Sequence, residues 1–404
     1  MSASRPAAEP IRVLHVAPYF APAFSYGGPP RSILGLCRAL QDVRVHVDVL
    51  TTTANGGHED LPASPGDGNR YDGVPVRYLP RIRPRRFFAA AGLLEALAEA
   101  TKEYDLWHIH GLWNLPAWVA AWQARKCGLP YVLSPRGMLQ PGALALRRVR
   151  KRLAYPLVER RNLAHATLLH ATSPAEAGTL EKRRLGVEIV TLPNGVDLQG
   201  ELSMREGIRH RLRLDQRADL VVFLGRIHPI KRLDLLAAAF ERVRALHPNA
   251  HLVIAGSNEG GYRSVVEPLF RGSGEYVHWI GAIDQTEKWS LLAEADVLVL
   301  CSASENFGMS VAEALAAGTP VVVTQTCPWE DVKTYGCGFW VAPEADAVST
   351  RVATILGDRA MAREMGARGR VLIGQKYSWT AIGRAMADRY ATIVQRRIGS
   401  AARS

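Results

Sequence analysis

Cysteine is scarce and unpaired in this sequence. Cys37, Cys127, Cys301, Cys327 and Cys337 are odd in number and never spaced as C-x-x-C. That excludes a disulfide framework and a zinc site of the usual spacing, and buried thiols are expected instead. No apolar run approaches the roughly 20 residues that cross a bilayer. The opening MSASRPAAEP has no apolar core of the signal-peptide kind, so a cytoplasmic protein is expected. Aromatic residues form only 7% of the chain, with no stacking stripe and no zinc-finger or RNP-type signature, which argues against nucleic acid as a partner. No G-x-G-x-x-G follows the first strand-like run, which disfavours an NAD oxidoreductase. Neither a D-x-D pair nor a His/Cys cluster is evident, so chemistry without a metal or other cofactor is expected.

What the chain does have is a regular alternation. The first half offers the strand-like runs IRVLHVA, VRVHVDVLTT, VPVRYL, LWHIHG, YVLS, ATLLHAT and EIVTLP, separated by helix-like segments such as RSILGLCRAL. The second half repeats the scheme with LVVFLGR, HLVIAG, VHWIGAI, DVLVLC, PVVVTQ and GFWVAP. Such alternation predicts parallel sheets covered by helices on both faces, and two series of it in 404 residues predict an α/β protein of two doubly wound, Rossmann-like domains. The strand rhythm breaks between Asp197 and Asp219, which is where a joint is expected.

The chain is also basic, with a formal charge of +12. Much of that charge is local: RRVRKR at 147–152 and ERR at 159–161 interleave with Leu144, Leu146, Val149, Leu153 and Leu157. The segment reads equally as a basic amphipathic helix on an anionic membrane surface or as a solvated helix face.

In open α/β sheets ligands bind beyond the carboxyl ends of the strands. Those positions here are glycine-rich and polar: Gly27-Gly28, His110-Gly111, Arg136-Gly137 and Asn194-Gly195 in the first half, and Gly225-Arg226, Gly256-Ser257, Gly281 and Glu305 in the second. The run SENFGMSVAEALAAGTPVVV holds two carboxylates, Glu305 and Glu313. On one helix they would lie about 12 Å apart and out of phase. A loop carrying Glu305 and a helix that starts near Phe307-Gly308 and carries Glu313 make better sense of the pattern. Amides of Asn306 to Met309 would then face an anion, and the glutamates would hydrogen-bond hydroxyls on either side of it. The alternative is that both are ordinary surface charges. In GRIHPIKRLD, Arg226 closes a strand and Lys231 stands at a helix entrance, a pair of cations suited to a diphosphate.

LPNGVD, GRIHPIKRLD and SENFGMSVAEALAAGTPVVVT, in that order behind a glycine-rich loop, resemble the family-4 retaining glycosyltransferases of the GT-B fold, also described as glycosyl transferases group 1. The resemblance spans nearly the whole chain. It implies two Rossmann-like domains facing across a cleft: residues 1–197 for the acceptor, with the final helix 379–404 packed back on them, and 198–378 for a nucleotide sugar. By that resemblance Arg226 and Lys231 stabilise the departing diphosphate, Glu305 contacts donor-sugar hydroxyls, Glu313 grips the ribose, and Gly27 and Gly28 close over the phosphates. Asn306, Phe307, Gly308 and Met309 seat the phosphates, with Gly256 and Gly281 also on the donor side. One departure matters: Arg136 in SPRGM stands where many relatives carry histidine. Arginine is no base at neutral pH, so it would bind sugar or phosphate, and His110 becomes the remaining candidate imidazole on the acceptor side, either functional or packed in the core. His108 points to the opposite face and is read as core.

The implied reaction is metal-independent hexosyl transfer, with retention, from a UDP- or GDP-sugar to a glycan or polyprenyl-diphosphate-linked acceptor in surface polysaccharide biosynthesis, at the inner face of the cell membrane. Front-face attack and a covalent intermediate on Glu305 both remain open. A nucleotide-sugar epimerase of the same two-domain architecture is the alternative.

Overall fold

The computed structural model describes residues 10–56, 59–62, 70–140, 143–144, 154–197 and 207–401. The basic run at 147–152 lies outside them, as does most of the stretch that begins the expected joint. The chain divides into two units, Met1–Gly195 with Trp379–Ser404, and Val196–Ser378. The division therefore falls just before Val196. The reason is local: Val196 donates its amide to Tyr377 O at 2.8 Å and bridges to Ser378, which ties it to the second unit.

The first unit is built on strands β1 (Arg12–Val16), β2 (His46–Thr52), β3 (Arg70–Tyr71), β4 (Val74–Leu79), β5 (Leu106–His110), β6 (Tyr131–Ser134), β7 (Leu168–Ala171) and β8 (Ile189–Thr191). They form one sheet in the order β8-β7-β6-β5-β1-β2-β4-β3, parallel except for the β3 edge. The second unit holds β9 (Asp219–Leu224), β10 (Ala250–Ala255), β11 (Val277–Gly281), β12 (Val297–Leu300), β13 (Val321–Thr324) and β14 (Gly338–Val341), in the order β11-β10-β9-β12-β13-β14, all parallel. Both sheets are doubly wound α/β layers. Strands such as VLVL at Val297–Leu300 and VVVT at Val321–Thr324 are buried along their whole length, which is why they read as continuous apolar runs and not as alternating ones.

Each sheet reverses its winding once, between β1 and β5 in the first unit and between β9 and β12 in the second. Such a switch point leaves a crevice at the carboxyl ends of the two neighbouring strands. The final helix, Trp379–Ala401, belongs to the first unit and lies against the helix Gly28–Asp42. Its Tyr390 is fully buried and reaches the sheet, donating a hydrogen bond to His108 on β5. No helix among the described residues is long and apolar enough to cross a membrane. Four cysteines are buried, but Cys127 is exposed where the helix Leu115–Lys126 ends, so the expectation of buried thiols fails there.

Candidate active site

In the second unit the switch point is spanned by two loops. After β9 the chain passes Gly225 and the exposed Arg226, makes a single 3-10 turn over Pro229–Lys231, and enters the helix Leu233–Leu246. After β12 it passes Ser302 and Glu305 and enters the helix Met309–Ala317. Ala303 N donates to Ile230 O at 2.7 Å, which locks the two loops together. Lys231 Nζ lies 2.5 Å from Glu305 Oε2, and Ser302 Oγ donates to that same oxygen at 3.0 Å. The pair is largely shielded from water. An ammonium has three protons, so Lys231 can hold Glu305 and still present donors to a second anion.

The helix Met309–Ala317 begins where the sequence places it. Gly308 has φ 86° and caps it in the left-handed region, and a β-carbon there would come within 3.2 Å of both Trp329 Nε1 and the Glu305 side chain. Glycine is needed on both counts. Phe307 packs against Trp329 and Tyr377, with ring centroids 5.2 and 5.7 Å away, and Trp329 Nε1 donates to Phe307 O. This aromatic brace fixes the helix entrance. The first amides of the helix, at Met309 and Ser310, have no acceptor within it and carry the positive end of its dipole. Partly buried Asn306 lies between Glu305 and this entrance in the chain.

Glu313 sits on the second turn of the same helix and is buried. One carboxylate oxygen is taken by Lys288 Nζ from the helix Gln285–Glu294. Sequence reasoning missed Lys288: no motif marks it, and only its place one turn beyond the Asp284 cap could have drawn attention. The remaining donor-side glycines line the strand ends. Gly256 has φ 150°, and a β-carbon on it would fall 1.8 Å from Gly225 O. Gly256 N donates to Gly281 O at 2.7 Å and Gly225 N to Ala255 O at 2.9 Å. Backbone without side chains therefore faces outward at the ends of β9, β10 and β11.

In the first unit, Gly27 (φ 84°) ends the loop after β1, and Gly28 is the first residue of the helix Gly28–Asp42. His110 ends β5, and Arg136 (φ 56°) follows β6. The sequence shows no His cluster, and the expectation that His108 faces away from His110 fails: residues two apart on a strand share a face, the two rings lie 4.2 Å apart, and the fold assembles a cluster from His15, His108, His110 and His170. Its tautomers follow from the donors. Arg136 Nη2 must donate to His110 Nδ1 (3.2 Å), so the His110 proton is on Nε2 and is given to His15 Nδ1 (2.9 Å). His15 then keeps its own proton on Nε2, which has no partner. At the other end His170 Nε2 donates to Leu192 O (2.8 Å), so its Nδ1 accepts from Ser134 Oγ (2.8 Å). Ser134 in turn accepts from His108 Nε2 (2.6 Å), and His108 Nδ1 accepts from Tyr390 (2.6 Å). All four imidazoles are buried and neutral. Burial is the main cause, with the Arg136 charge adding to it; His15 and His170 are pushed down to about 3, and His108 and His110 fall well below their ordinary range.

His110 is thus corrected as a candidate base. It is 1% exposed and both its nitrogens are engaged, so it has no lone pair to offer a substrate and instead positions Arg136. The same bonds answer a second possibility: His15, His108 and His110 bring ligand atoms within 4.8 Å of one another, but hydrogen bonds occupy every one of those nitrogens except His15 Nε2.

The sequence model described as "Glycosyl transferases group 1" matches residues 204–372, and that of the "Glycosyl transferase 4-like domain" matches residues 27–195. Together they cover most of the chain. The chain is a glycosyltransferase, its second unit matching the group 1 model and its first the 4-like one. This glycosyltransferase is 28% identical over 408 aligned residues to D-inositol 3-phosphate glycosyltransferase 2 of Catenulispora acidiphila, covering 95% of this chain and 94% of that one. It is 31% identical over 216 residues to the phosphatidyl-myo-inositol mannosyltransferase of Propionibacterium freudenreichii subsp. shermanii, a match that spans 52% of each protein. The crystal structure of Anabaena Alr3699/HepE in complex with UDP-glucose superposes with a TM-score of 0.69 at 18% identity, covering 95% of this chain and 100% of that one, which speaks for the GT-B fold.

Proposed function

We propose that this glycosyltransferase moves a hexose, with retention, from a UDP- or GDP-sugar to a glycan or lipid-linked acceptor. The carrying observation is the junction at the second unit's switch point. Lys231 and Glu305, from loops on either side of it, meet in a chain that then enters the helix Met309–Ala317. A leaving diphosphate needs positive charge already in place, because hydrogen-bond donors and cations fixed before the reaction stabilise developing charge without reorganising. Lys231, Arg226 and the amides of Gly308 and Met309 supply it. Glu305 then orients the hexose hydroxyls, Glu313 held by Lys288 takes the ribose, and Gly256 and Gly281 admit the nucleotide close to backbone. Gly27 and Gly28 take part in donor binding, and the first unit holds the acceptor. The UDP-glucose complex of the Anabaena protein supports a nucleotide-sugar donor.

With two cations in the site, no divalent ion is required. A panel of UDP-, GDP- and ADP-sugars read by thermal shift should give one class that stabilises the protein by mass action. Turnover of that donor should continue in excess EDTA and yield a product of unchanged anomeric configuration. Loss of turnover on chelation, an inverted product, or an epimerised nucleotide sugar formed without any acceptor would overturn the reading.

The product is proposed to enter surface polysaccharide, with the enzyme peripheral at the inner face of the membrane. The described end of the basic segment supports this: Leu157 is 76% exposed, and Arg160 and Arg161 are exposed just beyond it. Reversing the charges of Arg147, Arg148, Arg150 and Arg152 should weaken binding to anionic liposomes and leave hydrolysis of soluble donor intact. Unchanged liposome binding would remove the membrane part of the proposal.

A further inference from the structure

A cavity of about 680 Å³ opens on the first unit at the amino ends of β6 and β7. That is the end of the sheet opposite to the one where ligands of such folds bind. Five cations line it: Arg125 and Lys126 from the last turn of the helix Leu115–Lys126, Arg161 from the short helix Arg160–Ala164, and Arg396 and Arg397 from the helix Trp379–Ala401. No carboxylate is among the lining residues. Trp122, 48% exposed, adds apolar surface, and Lys126 Nζ lies 5.3 Å from the centroid of its ring.

This charge is not consumed by the fold. Arg125, Lys126 and Arg161 form no ion pair among the described residues. Arg125 is fixed by a neutral partner: its Nη1 donates to Oδ1 of buried Asn162 at 2.7 Å, and Tyr131 donates to Asn162 O at 2.6 Å. Arg396 meets the exposed Glu188 at 3.4 Å, a pair worth little in water, and Arg397 donates to Asp105 O at 3.2 Å. Cations are favoured at helix carboxyl ends, where carbonyls lack acceptor partners and the dipole is negative. Here those carbonyls already have donors. Gln123 O accepts from Cys127 N (3.1 Å), Ala124 O from Leu129 N (2.9 Å) and Arg161 O from His165 N (3.2 Å). Nor are Arg396 and Arg397 in the last turn of their helix. Helix ends therefore do not explain why cations from three helices converge on one cavity, where like charges repel.

An anion does explain it. A cleft lined by charge of one sign concentrates counter-ions, and guanidinium groups from several directions match the several acceptor oxygens of a phosphate. The volume is that of a small-molecule site and exceeds what a bare phosphate fills, while Trp122 offers a face to an organic body.

We propose that this cavity binds a phosphate-bearing small molecule, at a site separate from the sugar-transfer site. The proposal stands independently of the donor and acceptor readings above.

The test is calorimetric titration of the full-length protein with glucose 6-phosphate, pyrophosphate and glucose, each with UDP or GDP saturating so that the donor site is filled. At least one of the two phosphates should bind more tightly than glucose by a factor on the order of ten or more. Arg161 and Arg396 are exposed, so Arg161→Gln combined with Arg396→Gln should remove that preference without unfolding the protein. Arg161→Lys combined with Arg396→Lys should keep part of it, which separates charge recognition from damage to the fold. Failure of both phosphates to bind better than glucose, or a preference unchanged in the double glutamine variant, would overturn the proposal. Retention on phosphatidylglycerol vesicles that depends on Arg161 and Arg396, with no binding of either soluble phosphate, would overturn it in favour of a membrane contact. A protein that binds neither nucleoside diphosphate would instead sink the donor reading of the second unit, and titrations without nucleotide would still decide this cavity.

Discussion

Replacing Lys231 with alanine is expected to lower kcat by a factor on the order of a hundred or more, equivalent to about 2.7 kcal/mol of transition-state stabilisation. The ammonium sits at the switch point with one proton on Glu305 Oε2, and charge on a diphosphate grows as the glycosidic bond breaks. The effect should therefore fall on the rate and not on donor affinity, because the attraction lost is greatest in the transition state. Glu305 keeps its bond from Ser302 in the variant, so the loop is not left without support. Single-turnover rates and nucleotide affinity, measured on folded K231A, separate the two effects. A near-normal rate would mean that the departing group is not stabilised by Lys231.

Acid should destabilise the first unit well above the pH at which carboxylates titrate. The sign follows from proton counts. In the folded unit His15 and His170 are held near 3, and His108 and His110 also lie well below 6.5. Unfolded, each would bind a proton as pH falls through its ordinary value of about 6.5. The unfolded state therefore holds more protons between about 3 and 6.5, and stability falls as pH drops through that window. From pH 7 to 5.5 the loss is about 1.2 kcal/mol for each of His15 and His170, with His108 and His110 adding in the same direction. Two units need not unfold together, so hydrogen exchange of the β5 amides is the appropriate readout. Protection there should fall by well over tenfold across that interval. Constant protection would show that the imidazoles are already charged in the folded state or are not buried.

The strands and the helix entrance at Gly308 were legible because their signals are local: continuous apolar runs, a glycine before a helix, and Gly318 with Pro320 to end it. Arg226, Lys231, Glu305 and Glu313 stood out through spacing after strand ends. What the sequence hid was made by tertiary contact. Lys288 reaches Glu313 from 25 residues away, and Tyr390 closes the histidine network from 282 residues away. His15 looked like any strand residue because its partner lies on β5. His110 looked accessible because strand periodicity gives a side chain its face but not its depth. The basic run at 147–152 lies outside the described residues, and its role stays with the liposome measurement.

The central claim is that the second unit's switch point seats a nucleoside diphosphate. A crystal structure of the protein soaked with UDP or GDP tests it most directly. The account predicts the terminal phosphate at the amides of Gly308 and Met309 within reach of Lys231, and the ribose on Glu313. A diphosphate bound well away from the ends of β9 and β12 would contradict it.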